Sequence, residues 1–449
     1  MINSPASTAF DALFEQASTV TAVVPSVSHA PKAFVPLAPG SLAAAGLSEH
    51  QAEELILKSL LAEGAASGWD IAARIAVPFR VIEPLLHTFK TERLVIMKAA
   101  ASLGDFVYEL TELGNERASR YFENCSYSGA APVPLEVYTA SVAVQSLRSH
   151  KPTLEEVEGA FADLVLAPDF IDRLGDAMTA GLGFFLYGPP GNGKTSIAER
   201  VTSAYGTGVW IPRTISACGE IIRLFDPACH EPIAEPHVDD VPAHKIDRRW
   251  VYIRRPTIVA GGELALDHLE VIRNPATGIH EAPLQLKSNC GSLVIDDFGR
   301  QRASIEQLLN RWILPLERRY DLLSLSNGKK LRVPFDQLIV FATNLEPRDL
   351  VDEAFLRRIP YKIDMADPTE SQFRNVWHNA ADEMGIEADD AVLEHLLEKH
   401  YRQAGRPLRF CHARDLLSQV ASRCRFRNVR AVATVEAIDV AVLNYFGVM

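Results

Sequence analysis

Apolar positions change their spacing several times along this chain, and each change marks a different kind of structure. After Ser48, a residue suited to cap a helix, Leu55, Ile56, Leu60 and Leu61 recur at helical intervals. A second short helix is expected over 71–75. A third is expected from Pro78, with Val81, Ile82, Leu85, Leu86 and Phe89 on one face. The pattern then tightens into two strand-like runs, 94–97 and 106–110, with a turn near Gly104. Three runs further on, 183–187, 292–295 and 338–343, are apolar without alternation, as strands covered on both faces of a parallel sheet should be. Two hairpins are expected between them. One joins 250–253 to 263–266 around Gly261-Gly262, and the other spans 322–333 through an Asn327-Gly328 turn. Beyond Asp367 the spacing is helical again, with helices expected to about Met384 and near 389–400, 410–424 and 434–446.

The ends of the three apolar runs carry the chemistry. The first leads into Gly188-Pro189-Pro190-Gly191-Asn192-Gly193-Lys194-Thr195 and a helix-forming segment from Ser196. A strand, a glycine loop and a helix start are what a triphosphate cradle requires: small residues let backbone N–H groups turn inward, and the helix offers its positive end. Lys194 is placed to reach the β- and γ-phosphates, and the Thr195 hydroxyl to ligate Mg2+. The second run ends in Asp296-Asp297, at the strand edge where ligands bind in open α/β sheets. Asp296 is expected in the Mg2+ shell and Asp297 beside the attacking water. The third ends at Asn344, an amide suited to position that water or sense the γ-phosphate. ATP and Mg2+ are therefore the expected ligands.

With the arginines of Phe355-Leu356-Arg357-Arg358-Ile359-Pro360 following in order, this series resembles the AAA+ ATPase superfamily. The resemblance implies a P-loop NTPase core (a parallel sheet flanked by helices) over 161–366 and a small helical lid over 367–449. It places Lys194 and Thr195 in Walker A, Asp296 and Asp297 in Walker B, and Asn344 at sensor one. Either Arg357 or Arg358 would be the finger that completes a neighbour's site in a ring. Arg414 resembles the sensor-two arginine, with Arg406 and Arg409 as competitors. The 322–333 hairpin, just before the Asn344 strand, is similar to that of the pre-sensor-one branch, MoxR- and NtrC-like. Helix, helix, helix and hairpin over 46–126 resemble a winged helix-turn-helix domain, followed by a linker and helix at 127–160. Residues 1–45 read as a disordered or partner-docking leader, with Phe10, Leu13 and Phe14 able to form one amphipathic turn. Two departures stand out. Asp297 replaces the family's usual glutamate, and about ninety residues separate the Walker A helix from Walker B, far more than a short connection needs.

Charge narrows the partners. The 449-residue chain has a formal net charge of −12, which argues against a broad phosphate-neutralising surface. Residues 47–125 carry eight basic against twelve acidic side chains, so protein docking is favoured over duplex binding there. The expected function is ATP-driven remodelling or assembly of a protein client by a ring. The alternative is an ATP-switched DNA-binding regulator or loader, and a scaffold that hydrolyses ATP poorly is kept open by Asp297. Six scattered cysteines without a C-x-x-C pair read as reduced, buried thiols. No signal-peptide n-region and no apolar run near ~18 residues is found, so a cytoplasmic protein without a membrane span is expected. Cys229, His230, His237, Asp239, Asp240 and His244 fit no ligand spacing and read as a polar surface loop.

Overall fold

Period-two packing within the apolar runs organises the central sheet. In Phe184–Tyr187, Phe184 and Leu186 enter one core with Leu338, Val340 and Val294, while Phe185 enters another with Ile339, Phe341, Leu293 and Ile295. Every residue of Ser292–Ile295 and Leu338–Thr343 is buried, which is why those segments carry no polar alternation. The first core is covered by helices Pro168–Ala180 and Lys194–Arg200, and the second by helix Ile305–Arg318, whose Trp312 rests against Phe341. The computed structural model describes residues 34–206, 208–236, 242–351 and 353–447.

All five strands of this sheet are parallel, in the order Thr257–Ala260, Ser292–Ile295, Leu338–Thr343, Phe184–Tyr187 and Tyr361–Asp364. The expected α/β core with helices on both faces is therefore present. Its two edge strands, Thr257–Ala260 and Tyr361–Asp364, were not anticipated. The hairpin expected around Gly261-Gly262 does not exist. Trp250–Arg254 pairs antiparallel with Gly208–Pro212, and 263–266 forms no strand. The pairing is long-range, and the glycines instead follow the edge strand Thr257–Ala260 of the parallel sheet. The second hairpin is present, with Tyr320–Ser324 paired to Lys330–Pro334. The long stretch between Lys194–Arg200 and Ser292–Ile295 also supplies most of a five-stranded sheet, to which Val133–Pro134 adds a parallel edge strand.

Toward the N-terminus, helices Glu49–Glu63, Gly68–Ile75 and Phe79–Thr91 pack with an antiparallel sheet of Ala65–Ser67, Phe106–Leu110 and Val95–Ala100. Ser48 caps the first helix in a reciprocal box with Gln51, and Ser67 does the same with Asp70 for the second. Leu55, Ile56, Leu60, Ile71, Ile82, Leu86 and Tyr108 close the core beneath helix Glu112–Asn124. The final segment is a helical bundle: Glu370–Met384, Asp390–His395 continuing as a π-helix over Leu396–Arg402, Phe410–Arg427 and Val435–Phe446.

Three expectations change. Residues 34–45 are not a loose leader: Phe34 packs on Trp250, Leu37 bridges Ile246, and Ser41 caps helix Leu42–Ala45. Phe10, Leu13 and Phe14 lie outside the described residues. The cysteines are free, but only Cys290 and Cys424 are buried and Cys218 is exposed. His230 is no surface residue. Its Nδ1 accepts from the Asp226 amide at 3.0 Å and its Nε2 reaches the Lys287 carbonyl at 2.9 Å, which satisfies a buried neutral ring. His237, Asp239 and Asp240 lie outside the described residues. No helix among the described residues is long and apolar enough to cross a membrane.

Candidate nucleotide site

Three neighbouring strands end at one edge of the parallel sheet, and the loops leaving them converge. Gly188, Gly191 and Gly193 hold φ of 132°, 84° and 84°, conformations that side chains rarely adopt. Gly193 caps the helix that opens with Lys194 and Thr195. The Thr195 hydroxyl donates to Asp296 Oδ2 at 3.0 Å, which ties the glycine loop to the next-but-one strand of the sheet. Asn344 Nδ2 lies 3.4 Å from Asp297 Oδ1. Lys194 Nζ folds onto its own loop, donating to the Gly188 and Pro189 carbonyls at 2.9 Å each. Burial lowers the Lys194 pKa, with Arg409 adding to that effect, while Asp296 and Asp297 oppose it.

Asp297 itself sits at φ 49°, a left-handed conformation that aspartate tolerates better than most residues. The turn is closed by Gln301, whose Nε2 donates to the carbonyls of Asp296 (2.8 Å) and Asp297 (3.2 Å). Gln301 carries no motif signature, and sequence reasoning missed it.

Asn192 does more than fill a loop position. It is buried, and its Nδ2 donates to Asp367 Oδ1 at 2.9 Å and to the Met365 and Ala366 carbonyls at 3.3 Å. Its Oδ1 accepts from the Phe410 amide at 3.4 Å, and the Cys411 amide donates to the Gly191 carbonyl at 2.9 Å. The glycine loop is thus hydrogen-bonded to the first turn of helix Phe410–Arg427. A cavity of about 350 Å³ opens beside it, lined by Gly191, Asn192, Gly193 and Ser196 on the loop side. Leu164, Val165, Ile197, Val376 and Ala380 give it an apolar wall. A polar, amide-rich floor beside an apolar slot matches a nucleotide's phosphates and base. Pro189 and Pro190 complete the loop but do not line that slot.

The arginines divide. Arg414 lines the cavity and pairs with Glu383 at 2.7 Å, both side chains being well exposed. Arg409 is bonded to Asp367 and close enough to lower the pKa of Lys194. Arg406 is turned away, donating to the His400 carbonyl and covering the Phe446 ring at 3.8 Å. Arg358 is held by Glu317 at 2.7 Å, whereas Arg357 is 76% exposed beside Glu353. Neither Arg357 nor Arg358 lines the cavity.

Comparison with known proteins adds little to this geometry. A family described as a domain of unknown function (DUF8689) matches residues 369–444. No curated protein matches the chain. Among solved structures, the RuvB Holliday junction branch migration motor of Thermotoga maritima is 16% identical, with 63% of this chain and 70% of that chain covered and a TM-score of 0.36. NtrX from Brucella abortus in complex with ATP is 11% identical, with 61% and 55% covered and a TM-score of 0.37. At such identities and scores, what those proteins bind or drive stays theirs.

Proposed function

We propose that this chain is a Mg-ATP hydrolase of the AAA+ kind, acting as a ring to remodel or assemble a protein client. The observation that carries the reading is the pairing of Thr195 with Asp296 and of Asn344 with Asp297 at one sheet edge, under a glycine loop. Thr195 and Asp296 would hold Mg2+, which when bound supplies charge neutralisation at the phosphates. Lys194, freed from its own loop carbonyls, brings a cation to the same phosphates. Asp297 orients water and accepts its proton, and Asn344 fixes the carboxylate that does so. The apolar slot takes the base, and Arg409 and Arg414 approach from the helical bundle. Arg357 is the better candidate for a finger acting on a neighbour, because Arg358 is already engaged.

The client is read as protein because the N-terminal unit is net acidic yet exposes Trp69, Ile96, Leu113 and Phe122. That unit's helix and hairpin order supports the winged-helix reading, used here for docking rather than for a duplex.

Hydrolysis by the purified chain, with and without Mg2+, tests the site. Lys194→Ala should abolish nucleotide binding, and Asp297→Asn should bind ATP without turning it over. A Lys194→Ala protein that hydrolyses ATP at the parental rate sinks the assignment. Turnover stimulated by duplex DNA, with a steep salt dependence, would move the reading to the DNA-bound regulator.

A further inference from the structure

The C-terminal bundle contains a chemical cluster that the nucleotide site does not use. His395 ends helix Asp390–His395, and the chain continues through the π-helical turn Leu396–Arg402, which contains His400. In an α-helix, five residues advance about 500°, leaving two such side chains about 140° apart. The wider i→i+5 turn brings them toward one face, and π-turns of this kind occur often at functional positions. Opposite them, Asp439 projects from helix Val435–Phe446. His395 Nε2 stands 2.8 Å from Asp439 Oδ1, and His400 Nε2 stands 2.6 Å from the same oxygen. One ligand atom from each of the three residues lies within 4.8 Å of the other two.

We propose that His395, His400 and Asp439 bind a divalent transition-metal ion of the zinc class. Two imidazole nitrogens and one carboxylate oxygen suit such an ion, whose bonds to these atoms are about 2.0–2.2 Å long. Tetrahedral bonds of that length set ligand atoms about 3.4 Å apart, so both rings must draw back slightly from Asp439 Oδ1 and release any Nε2 proton to solvent as the ion enters. The three residues are part-buried, and with three protein ligands the fourth position of a tetrahedral ion would be left to water. Lys399 is the competing cation, donating to Asp439 Oδ2 at 2.7 Å. Its side chain is 49% exposed and can leave for solvent when the ion arrives. A bound ion would clip the π-helical turn to the last helix, and so stabilise the bundle through linkage.

The test uses the full chain without an affinity tag, stripped with chelator and titrated with Zn2+ by calorimetry and with Co2+ by absorbance. One saturable site is expected, lacking the absorption of a cobalt–thiolate bond. His395→Ala, His400→Ala and Asp439→Ala should each weaken it by at least about tenfold, with the thermal shift given by ATP retained as the check on folding. Lys399→Ala removes an exposed competitor and should tighten binding severalfold. No saturable site in the parent, a thiolate spectrum, or parental affinity in the three ligand variants would overturn the proposal. If the alanine variants fail to fold, Lys399→Ala decides alone: tighter binding supports the site, and unchanged or weaker binding overturns it.

Discussion

Asn344 and Asp297 come from different strand ends, yet the amide nitrogen of one lies 3.4 Å from a carboxylate oxygen of the other. Their strands, Leu338–Thr343 and Ser292–Ile295, are parallel neighbours in register, so the sheet sets the approach. In the proposed mechanism Asn344 would position the carboxylate that orients water. Asn344→Ala should lower the hydrolysis rate by roughly 10²-fold, the scale of a misplaced catalytic group. ATP affinity should stay within about twofold. Because both residues act through one carboxylate, adding Asn344→Ala to Asp297→Asn should cost little more than Asp297→Asn alone. Single-turnover rates and equilibrium binding separate the two effects. A loss confined to affinity would make Asn344 a binding residue instead.

Asn192 makes a different prediction, about coupling rather than chemistry. Its buried amide joins the glycine loop to the segment 365–367 and to the first turn of helix Phe410–Arg427. Asn192→Ala leaves those partners unpaired, and should cost about 1–3 kcal/mol of stability. Asn192→Asp should be worse at neutral pH, because it sets a second carboxylate against Asp367 at the 2.9 Å contact. Thermal unfolding of both variants, with and without ATP, is the measurement. Equal stability of the two would show that the Asp367 contact does not matter.

Much of this site could be read from sequence because burial on both sheet faces leaves uninterrupted apolar runs, and each run ended in a residue with chemistry. Where pairing is distant, the signal failed. Trp250–Arg254 finds its partner at Gly208–Pro212, some forty residues earlier, and nothing local announces that. Thr257–Ala260 is a short edge strand with Val259 40% exposed, and the Gly-Gly after it resembles a hairpin turn. Asn192 was placed in the phosphate loop by its spacing, but its contacts lie more than 170 positions away. Gln301 and the π-helical turn follow from tertiary packing and have no compositional mark.

Arg357 and Arg358 were equivalent in sequence and are not equivalent in space. Arg357 is 76% exposed and its partner Glu353 is 84% exposed, so removing it should leave stability unchanged. If it reaches a neighbouring copy's site, Arg357→Ala should reduce turnover by about 10³. Arg358→Ala loses the Glu317 contact and should lower stability where Arg357→Ala does not. A mixing experiment tests the sharing directly. Arg357→Ala and Asp297→Asn are each expected to be inactive alone, but mixed assemblies contain interfaces with both residues intact. Recovery of activity on mixing supports a shared site, and its absence at concentrations where the chains assemble would remove Arg357 from that role.

His412 sets an acid limit for the C-terminal bundle. The ring is buried on helix Phe410–Arg427, with Nδ1 3.0 Å from the Tyr401 hydroxyl. Burial, followed by the nearby Arg409, pushes its pKa down to about 4. In the unfolded chain the same ring takes up a proton near pH 6.5. Between those values the unfolded state binds more protons, so stability rises with pH. The contribution is complete above about pH 6.5 and is lost as pH falls toward about 4, up to a limit on the order of 3 kcal/mol. His412→Gln cannot titrate, so its unfolding temperature should fall less than the parent's between pH 6.5 and 4.5. Calorimetric melts at matched ionic strength provide the comparison. Parallel declines in the two proteins would mean that His412 is protonated without cost in the folded bundle.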